Sequence, residues 1–142
     1  GARFIERLLP HFIQQKSGHI VGIGSLASYR GMPGHAAYCA SKSALDAMLE
    51  SVRTELQDYP DIAVTTIHPG FIDTPLTQKN TFRMPFLMTL DQGVNRIFKA
   101  ITAKKEIVAF PFILAFGARL SRLLPVRIFN WILRNHHIKK HD

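Results

Sequence analysis

Ser25, Tyr38 and Lys42 are the residues of this chain whose types and spacing suit proton chemistry at a carbon–oxygen bond. Tyr38 and Lys42 stand four apart, so on a helix they share one face, and the Lys42 ammonium comes near the Tyr38 phenol and favours its ionised form. That help is needed because a free tyrosine, with a pKa of about 10, exchanges protons poorly at neutral pH. Ser25 can donate a hydrogen bond to the same oxygen. Together they would give a carbonyl or alcohol substrate a proton donor or acceptor, a charge that tunes it and an orienting hydroxyl. A Tyr-x-x-x-Lys pair by itself also describes an ordinary exposed helix face, so the surrounding elements decide between the two.

Those elements are the ones such a site needs. His19-Ile20-Val21-Gly22-Ile23-Gly24 is short, apolar and partly β-branched, as a buried parallel strand is. After residues 25–42 comes a helix whose Leu45, Met48, Leu49, Val52 and Leu56 form one apolar stripe. Ser25 thus falls at the carboxyl end of a strand, where ligands bind in an open α/β sheet, and Tyr38 and Lys42 fall in the first turns of the helix. Ile62-Ala63-Val64-Thr65-Thr66-Ile67 reads as the next buried strand, with His68-Pro69-Gly70 at its carboxyl end. No acidic residue is spaced to orient His68, so a packing role is expected for it. His35, three residues before Tyr38, either faces substrate or is a solvated loop residue, and the second is favoured. Cys39 is expected to pack rather than to react.

Gly-His-Ile-Val-Gly-Ile-Gly-Ser, then Tyr-Cys-Ala-Ser-Lys-Ser-Ala-Leu with its tyrosine thirteen residues after the serine, then His-Pro-Gly-Phe-Ile-Asp-Thr, resembles the core of the short-chain dehydrogenase/reductase family in motif order and spacing. The resemblance runs from the first residue to about residue 110. It implies that Ser25, Tyr38 and Lys42 are catalytic, that Lys42 also binds the nicotinamide ribose, and that Pro69, Gly70, Ile72 and Thr74 line the nicotinamide of NAD or NADP. It implies an NAD(P)-dependent oxidoreductase that interconverts an alcohol and a carbonyl group, and a homo-oligomer paired through the helices at residues 1–16 and 37–58. The Gly-x-x-x-Gly-x-Gly spacing falls only at Gly18, Gly22 and Gly24, inside the strand read at 19–24, so the strand-to-helix turn that cradles a dinucleotide pyrophosphate is not expected in this sequence. The expectation is therefore the C-terminal half of a Rossmann-type doubly wound parallel sheet of α/β class, taken from a longer enzyme and of doubtful activity alone. The competing expectation is a catalytically inactive fragment, or a membrane-surface or interaction protein of the same fold.

Upstream, residues 1–16 read as an amphipathic helix with Phe4, Ile5, Leu8, Leu9, Phe12 and Ile13 on one face, Pro10 within it and Ser17-Gly18 ending it. Downstream, residues 71–88 lack periodicity and carry Phe82, Met84, Phe86, Leu87 and Met88, as a functional lid or a disordered segment does; the family resemblance implies the substrate-binding region and an apolar substrate pocket there, and the alternative is that these side chains are core. Thr89-Leu90-Asp91-Gln92 is a capping box for a helix with Val94, Ile97, Phe98 and Ile101 as its buried stripe and Lys104-Lys105 at its end. Residues 106–110 are a last short strand.

The chain is expected to divide at residue 110 into the C-terminal portion of a dinucleotide-binding catalytic domain, 1–110, and a basic amphipathic helical tail, 111–142. Of the net charge of +8, residues 104–142 supply +6, from eight Lys and Arg less two acids. The longest uncharged run there, residues 107–118, is too short to span a bilayer, which takes about 20 apolar residues. Two basic amphipathic helices bearing Trp131 form either a lid or subunit contact over the pocket, which is favoured, or a segment lying on an anionic membrane surface. Nucleic acid is not expected as a partner, since no matching fold motif accompanies the charge. His136, His137 and His141 lack the carboxylates or cysteines of a metal site, so no metal is expected. One cysteine and no visible secretory signal fit a cytoplasmic protein.

Overall fold

The computed structural model describes residues 2–80 and 82–137, with the side chains of residues 2 and 135–137 left aside. The sequence reading of His136, His137 and His141 therefore lies outside the described residues. The elements run α1 (Ala2–Gln15), β1 (Gly18–Ile23), a 3-10 turn (Leu26–Ser28), α2 (Ala36–Glu55), β2 (Ile62–Pro69), a second 3-10 turn (Thr77–Lys79), α3 (Leu90–Thr102), β3 (Ile107–Phe110), α4 (Phe112–Ser121) and α5 (Val126–His137). The three strands form a parallel sheet in the order β1-β2-β3, with Ile20 opposite Val64, Ile23 opposite Ile67 and Pro69 opposite Phe110. Because all three are parallel, their carboxyl ends come to one edge, and the segments following Ile23, Pro69 and Phe110 meet there.

Alternate residues of a strand face opposite ways, and the core divides accordingly. Ile20, Ile62 and Val64 pack with Leu49 and Val52 of α2, with Leu56 directly after it, and with Ile5, Leu9, Phe12 and Ile13 of α1. Val21, Ile67, Val108 and Phe110 pack with Met88, Ile97, Ala100 and Ile101. This is the α/β fold with helices on both faces of a parallel sheet. An apolar groove of about 340 Å3 runs between α1, β1 and α2, lined by residues such as Leu8, Phe12, Ile23 and Met48. Ser25, Tyr38 and Lys42 are not among its lining residues.

Two helix stripes differ from expectation. In α3, Val94 and Phe98 are exposed, and the buried positions are Gly93 and Ala100, with Ile97 and Ile101 packed beside them. The small residues face inward because the approach is close: a Cβ on Gly93 would stand 2.6 Å from Ile72 Cδ1. In α1 the buried stripe omits Phe4, which is exposed. The capping box at Thr89 and Gln92 forms as expected. Both α1 and α3 end with a lysine in the left-handed region, Lys16 at φ 52° and Lys104 at φ 46°. Paired backbone bonds close each end, Ser17 N–H to the Phe12 carbonyl and Lys105 N–H to the Ala100 carbonyl.

Between β1 and β2, His19 Nε2 lies 2.7 Å from Oγ1 of the fully buried Thr65. Burial, with the Lys104 charge as a lesser cause, holds the His19 pKa below its ordinary value of 6.5. The unfolded chain then takes up this proton more readily than the fold does, so the His19 contribution to stability is present in full above the unfolded value and is lost as pH falls through the folded one. Urea unfolding at pH 7.5 and 5.5 should show a smaller loss on acidification for His19→Gln than for the parent; equal losses would show that His19 does not carry the effect.

Candidate active site

Helix α2 is laid on the sheet by a contact that only glycine permits. A Cβ on Gly22 would stand 2.1 Å from Cδ1 of the fully buried Leu49. Two turns towards its N-terminus, on the same face, Lys42 Nζ donates to the Ile23 carbonyl at 2.8 Å, where β1 ends. Lys42 Nζ also stands 5.8 Å from the centre of the Tyr38 ring, whose residue is 43% exposed. Ser43 Oγ donates to the Ser28 carbonyl at 2.8 Å and ties the same helix to the turn that follows Ser25.

Ser25 caps that turn. Its Oγ accepts the Ala27 N–H at 3.2 Å, which leaves its hydroxyl hydrogen as a donor. Leu26 and Ala27 are buried and anchor the turn from below. Cys39 is buried as well and packs as expected.

The end of β2 supplies the opposite wall. Gly70 N–H donates to the Phe110 carbonyl at 2.7 Å, which continues the β2–β3 pairing past Pro69. Ile72 forms a bridge with Met88, and Asp73 N–H bonds the Met88 carbonyl at 2.8 Å. Thr74 is held through its N–H and Oγ1 by Thr77 Oγ1, at 2.9 and 3.1 Å. Residues 71–88 thus have an ordered base. Met88 is core, whereas Phe86 and Leu87 are exposed. Phe82 meets Phe71 edge-on at 5.9 Å and His35 at 5.5 Å, so His35 is partly covered by an aromatic rather than simply solvated.

The expectation that no acid orients His68 is overturned. His68 is buried, and its Nδ1 lies 3.5 Å from Asp46 Oδ2, 3.4 Å from Ser28 Oγ and 3.3 Å from the Ser25 carbonyl. The signal was available in the helix period, since Asp46 follows Lys42 by one further turn on the Tyr38–Lys42 face. Its partner lies 22 positions away on β2, which spacing alone does not reveal. The serine and the carboxylate both approach the same ring nitrogen, whereas a Ser-His-Asp relay needs one on each. The cluster is therefore no hydrolase triad.

Two arginines join the tail to this region, a contact that sequence reading missed. Arg30 Nη1 donates to the carbonyl of Ser121 and, at 2.8 Å, to that of Leu124, at the end of α4. Its guanidinium also lies 4.1 Å from the centre of the Phe129 ring on α5. Arg119 Nε donates to the Tyr29 hydroxyl at 3.2 Å, and the Tyr29 ring lies tilted at 35° against His68 with centroids 5.1 Å apart. The tail helices are thus fastened to the turn that carries Ser25.

Comparison with known proteins shows the family. The family model for short chain dehydrogenases matches residues 3–84. The chain belongs to that family. An oxidoreductase of Myxococcus xanthus, itself uncharacterized, is 41% identical over 130 residues, which is 92% of this chain and 51% of the relative. A short chain dehydrogenase of Burkholderia cenocepacia, solved with NADP, shares the fold at a TM-score of 0.71 and 21% identity, over 89% of this chain and 52% of that one. A 4-hydroxyisoleucine dehydrogenase solved with NADH and succinate aligns at a TM-score of 0.58 and 26% identity, over 75% of this chain and 49% of that one. This short chain dehydrogenase sequence spans about half the length of these relatives. Among its described residues no helix is long and apolar enough to cross a membrane, and no group of three or more His, Cys, Asp or Glu is placed to hold a metal ion.

Hydrogen bonds to a charged donor are worth about 1.5–3 kcal/mol. Arg30→Ala should therefore speed amide exchange over residues 119–129 by about tenfold to a hundredfold. Unchanged exchange there would show that the tail is held by other contacts.

Proposed function

We propose that the whole protein is an NAD(P)-dependent oxidoreductase that interconverts an alcohol and a carbonyl group, with Tyr38 moving the proton, Lys42 holding ribose and favouring the reactive form of Tyr38, and Ser25 binding the reacting oxygen. The observation that carries this reading is the bond from Lys42 Nζ to the Ile23 carbonyl, which anchors the lysine beside the Tyr38 ring at the strand end from which Ser25 departs. One of the three ammonium N–H groups is used in that bond, and the remaining two suit the vicinal hydroxyls of a ribose. Pro69, Gly70, Ile72 and Thr74 would line the nicotinamide from the end of β2. The NADP of the Burkholderia structure and the NADH of the 4-hydroxyisoleucine dehydrogenase structure support a nicotinamide cofactor of either kind.

When bound, that cofactor supplies or accepts the hydride at the substrate carbon. In the reductive direction Ser25 donates a hydrogen bond to the carbonyl oxygen, and Tyr38 delivers its phenolic proton to that oxygen. Lys42 stabilises the phenolate left behind, and the proton returns from solvent to the exposed Tyr38. The aromatic cluster of Phe71, Phe82 and His35, with Phe86 and Leu87 exposed nearby in sequence, supports an apolar substrate.

Tyr38→Phe in the whole protein should reduce turnover by about a hundredfold or more, as general acids contribute, with cofactor affinity nearly unchanged. Retained turnover would end the proposal and favour a non-catalytic protein of the same fold.

A second reading, compatible with the first, concerns the tail. Phe112, Phe116, Leu123 and Trp131 are each more than half exposed, and residues 107–141 contain Arg and Lys but no acid. An anionic membrane surface would complement that face of a cytoplasmic enzyme. Vesicles containing phosphatidylserine should sediment the whole protein, with binding lost on Phe116→Ser with Leu123→Ser; failure to sediment would leave the tail as a lid or subunit contact.

A further inference from the structure

We infer that Asp46 and His68 are positioning residues for Ser25, acting through its carbonyl rather than through its hydroxyl. The inference rests on the oxidoreductase reading for what Ser25 does, but the network itself stands on geometry. The Ser25 carbonyl is where three elements converge. It accepts the Ser28 N–H at 3.0 Å and the Ser28 hydroxyl at 2.7 Å from its own turn, and faces His68 Nδ1 at 3.3 Å from the end of β2. Asp46, reaching in from α2, faces the same nitrogen at 3.5 Å.

The pair closes over Gly24, the residue directly before Ser25. A Cβ on Gly24 would stand 3.0 Å from Asp46 Oδ1, 3.1 Å from His68 Nδ1 and 3.2 Å from the Ile67 carbonyl. A side chain there would press on Asp46 and His68 and require each to give by a few tenths of an ångström. Asp46 Oδ1 is itself buried without a hydrogen-bond partner, a costly arrangement that a merely space-filling residue would avoid. Tyr29 covers the imidazole from the other side, with its hydroxyl held by Arg119.

Fixing the Ser25 carbonyl fixes the peptide plane after Ser25, and with it the direction in which Cβ and Oγ leave the chain. The Ala27 N–H then holds Oγ at 3.2 Å. With both ends of the residue held, Oγ keeps one position from which its hydroxyl can donate. An error of about 1 Å in such a group can cost on the order of a hundredfold in rate.

The test uses the full-length enzyme with NADH or NADPH and an apolar aryl ketone that the parent reduces. His68→Leu, which keeps the volume and removes the ring nitrogens, should lower kcat about 10- to 100-fold, with the cofactor KM nearly unchanged. His68→Asn places an amide N–H near the position of Nδ1 and should restore most of the loss, which a packing role does not predict. In a Ser25→Ala background His68→Leu should have little further effect, because the residue through which it acts is gone. Parent-like turnover in His68→Leu, failure of His68→Asn to restore it, or an undiminished effect beside Ser25→Ala would each overturn the inference.

Amide exchange at Ala27 and Ser28 supplies a readout that needs no activity. It should quicken about tenfold in His68→Leu as the turn loosens; unchanged exchange overturns the inference even if the parent protein proves inactive. Full turnover by Tyr38→Phe would instead sink the oxidoreductase reading and leave this exchange result standing. Should His68→Leu not fold, Asp46→Asn gives the same readouts, with a several-fold loss in kcat expected and parent-like kcat and exchange overturning the inference.

Discussion

The close fit of α2 on β1 at Gly22 governs the rest of this structure. With no Cβ in the way, Leu49 seats its methyl directly on the strand backbone. Lys42 lies on the same face two turns earlier, so its ammonium arrives at Ile23, the next residue of the strand. A core contact and a site contact are therefore successive rungs of one helix on one strand. The rigidity needed at the exposed end comes from the buried end, where Leu49 is wholly enclosed. Arg53, one turn further along α2, bonds Thr66 Oγ1 at 2.8 Å and the Glu106 carbonyl at 3.1 Å, and so ties the far end of the helix to β2 and to the approach to β3.

Local periodicity explains how much of this was legible in advance. The three strands, the five helices and the edge on which Ser25 and Gly70 both lie follow from apolar runs, helical stripes and turn residues, signals that operate within about ten residues. The likeness to a dehydrogenase family rested on three short motifs, and the family match over residues 3–84 covers all of them. What escaped was contact between distant segments. His68 shows no acid at local spacing because its acid comes from α2, and no local signal marks Arg30, which binds carbonyls more than ninety positions away.

The misread stripe of α3 has a different origin. Large apolar residues normally mark the buried face of a helix, and Val94 and Phe98 were assigned to it on that ground. Gly93 and Ala100 occupy it instead, because Ile72 already fills the space beneath the helix. Volume at the interface, which no single segment encodes, decided which face turned inward. The same competition made Met88 core while its neighbours Phe86 and Leu87 stayed exposed.

The side chains of the tail divide between an inward and an outward side. Its inward side is spoken for: Ala115 is buried, Leu114 lies against Gly70, and Arg119 and the carbonyls at the end of α4 engage Tyr29 and Arg30. Arg30 suits that role because a helix end presents unpaired carbonyls and partial negative charge, which a planar cation can bridge while stacking on Phe129. None of these contacts uses Phe112, Phe116, Leu123 or Trp131. The fastening therefore leaves these four exposed side chains outside it, so the membrane contact proposed for the tail would not require release of the turn that holds Ser25.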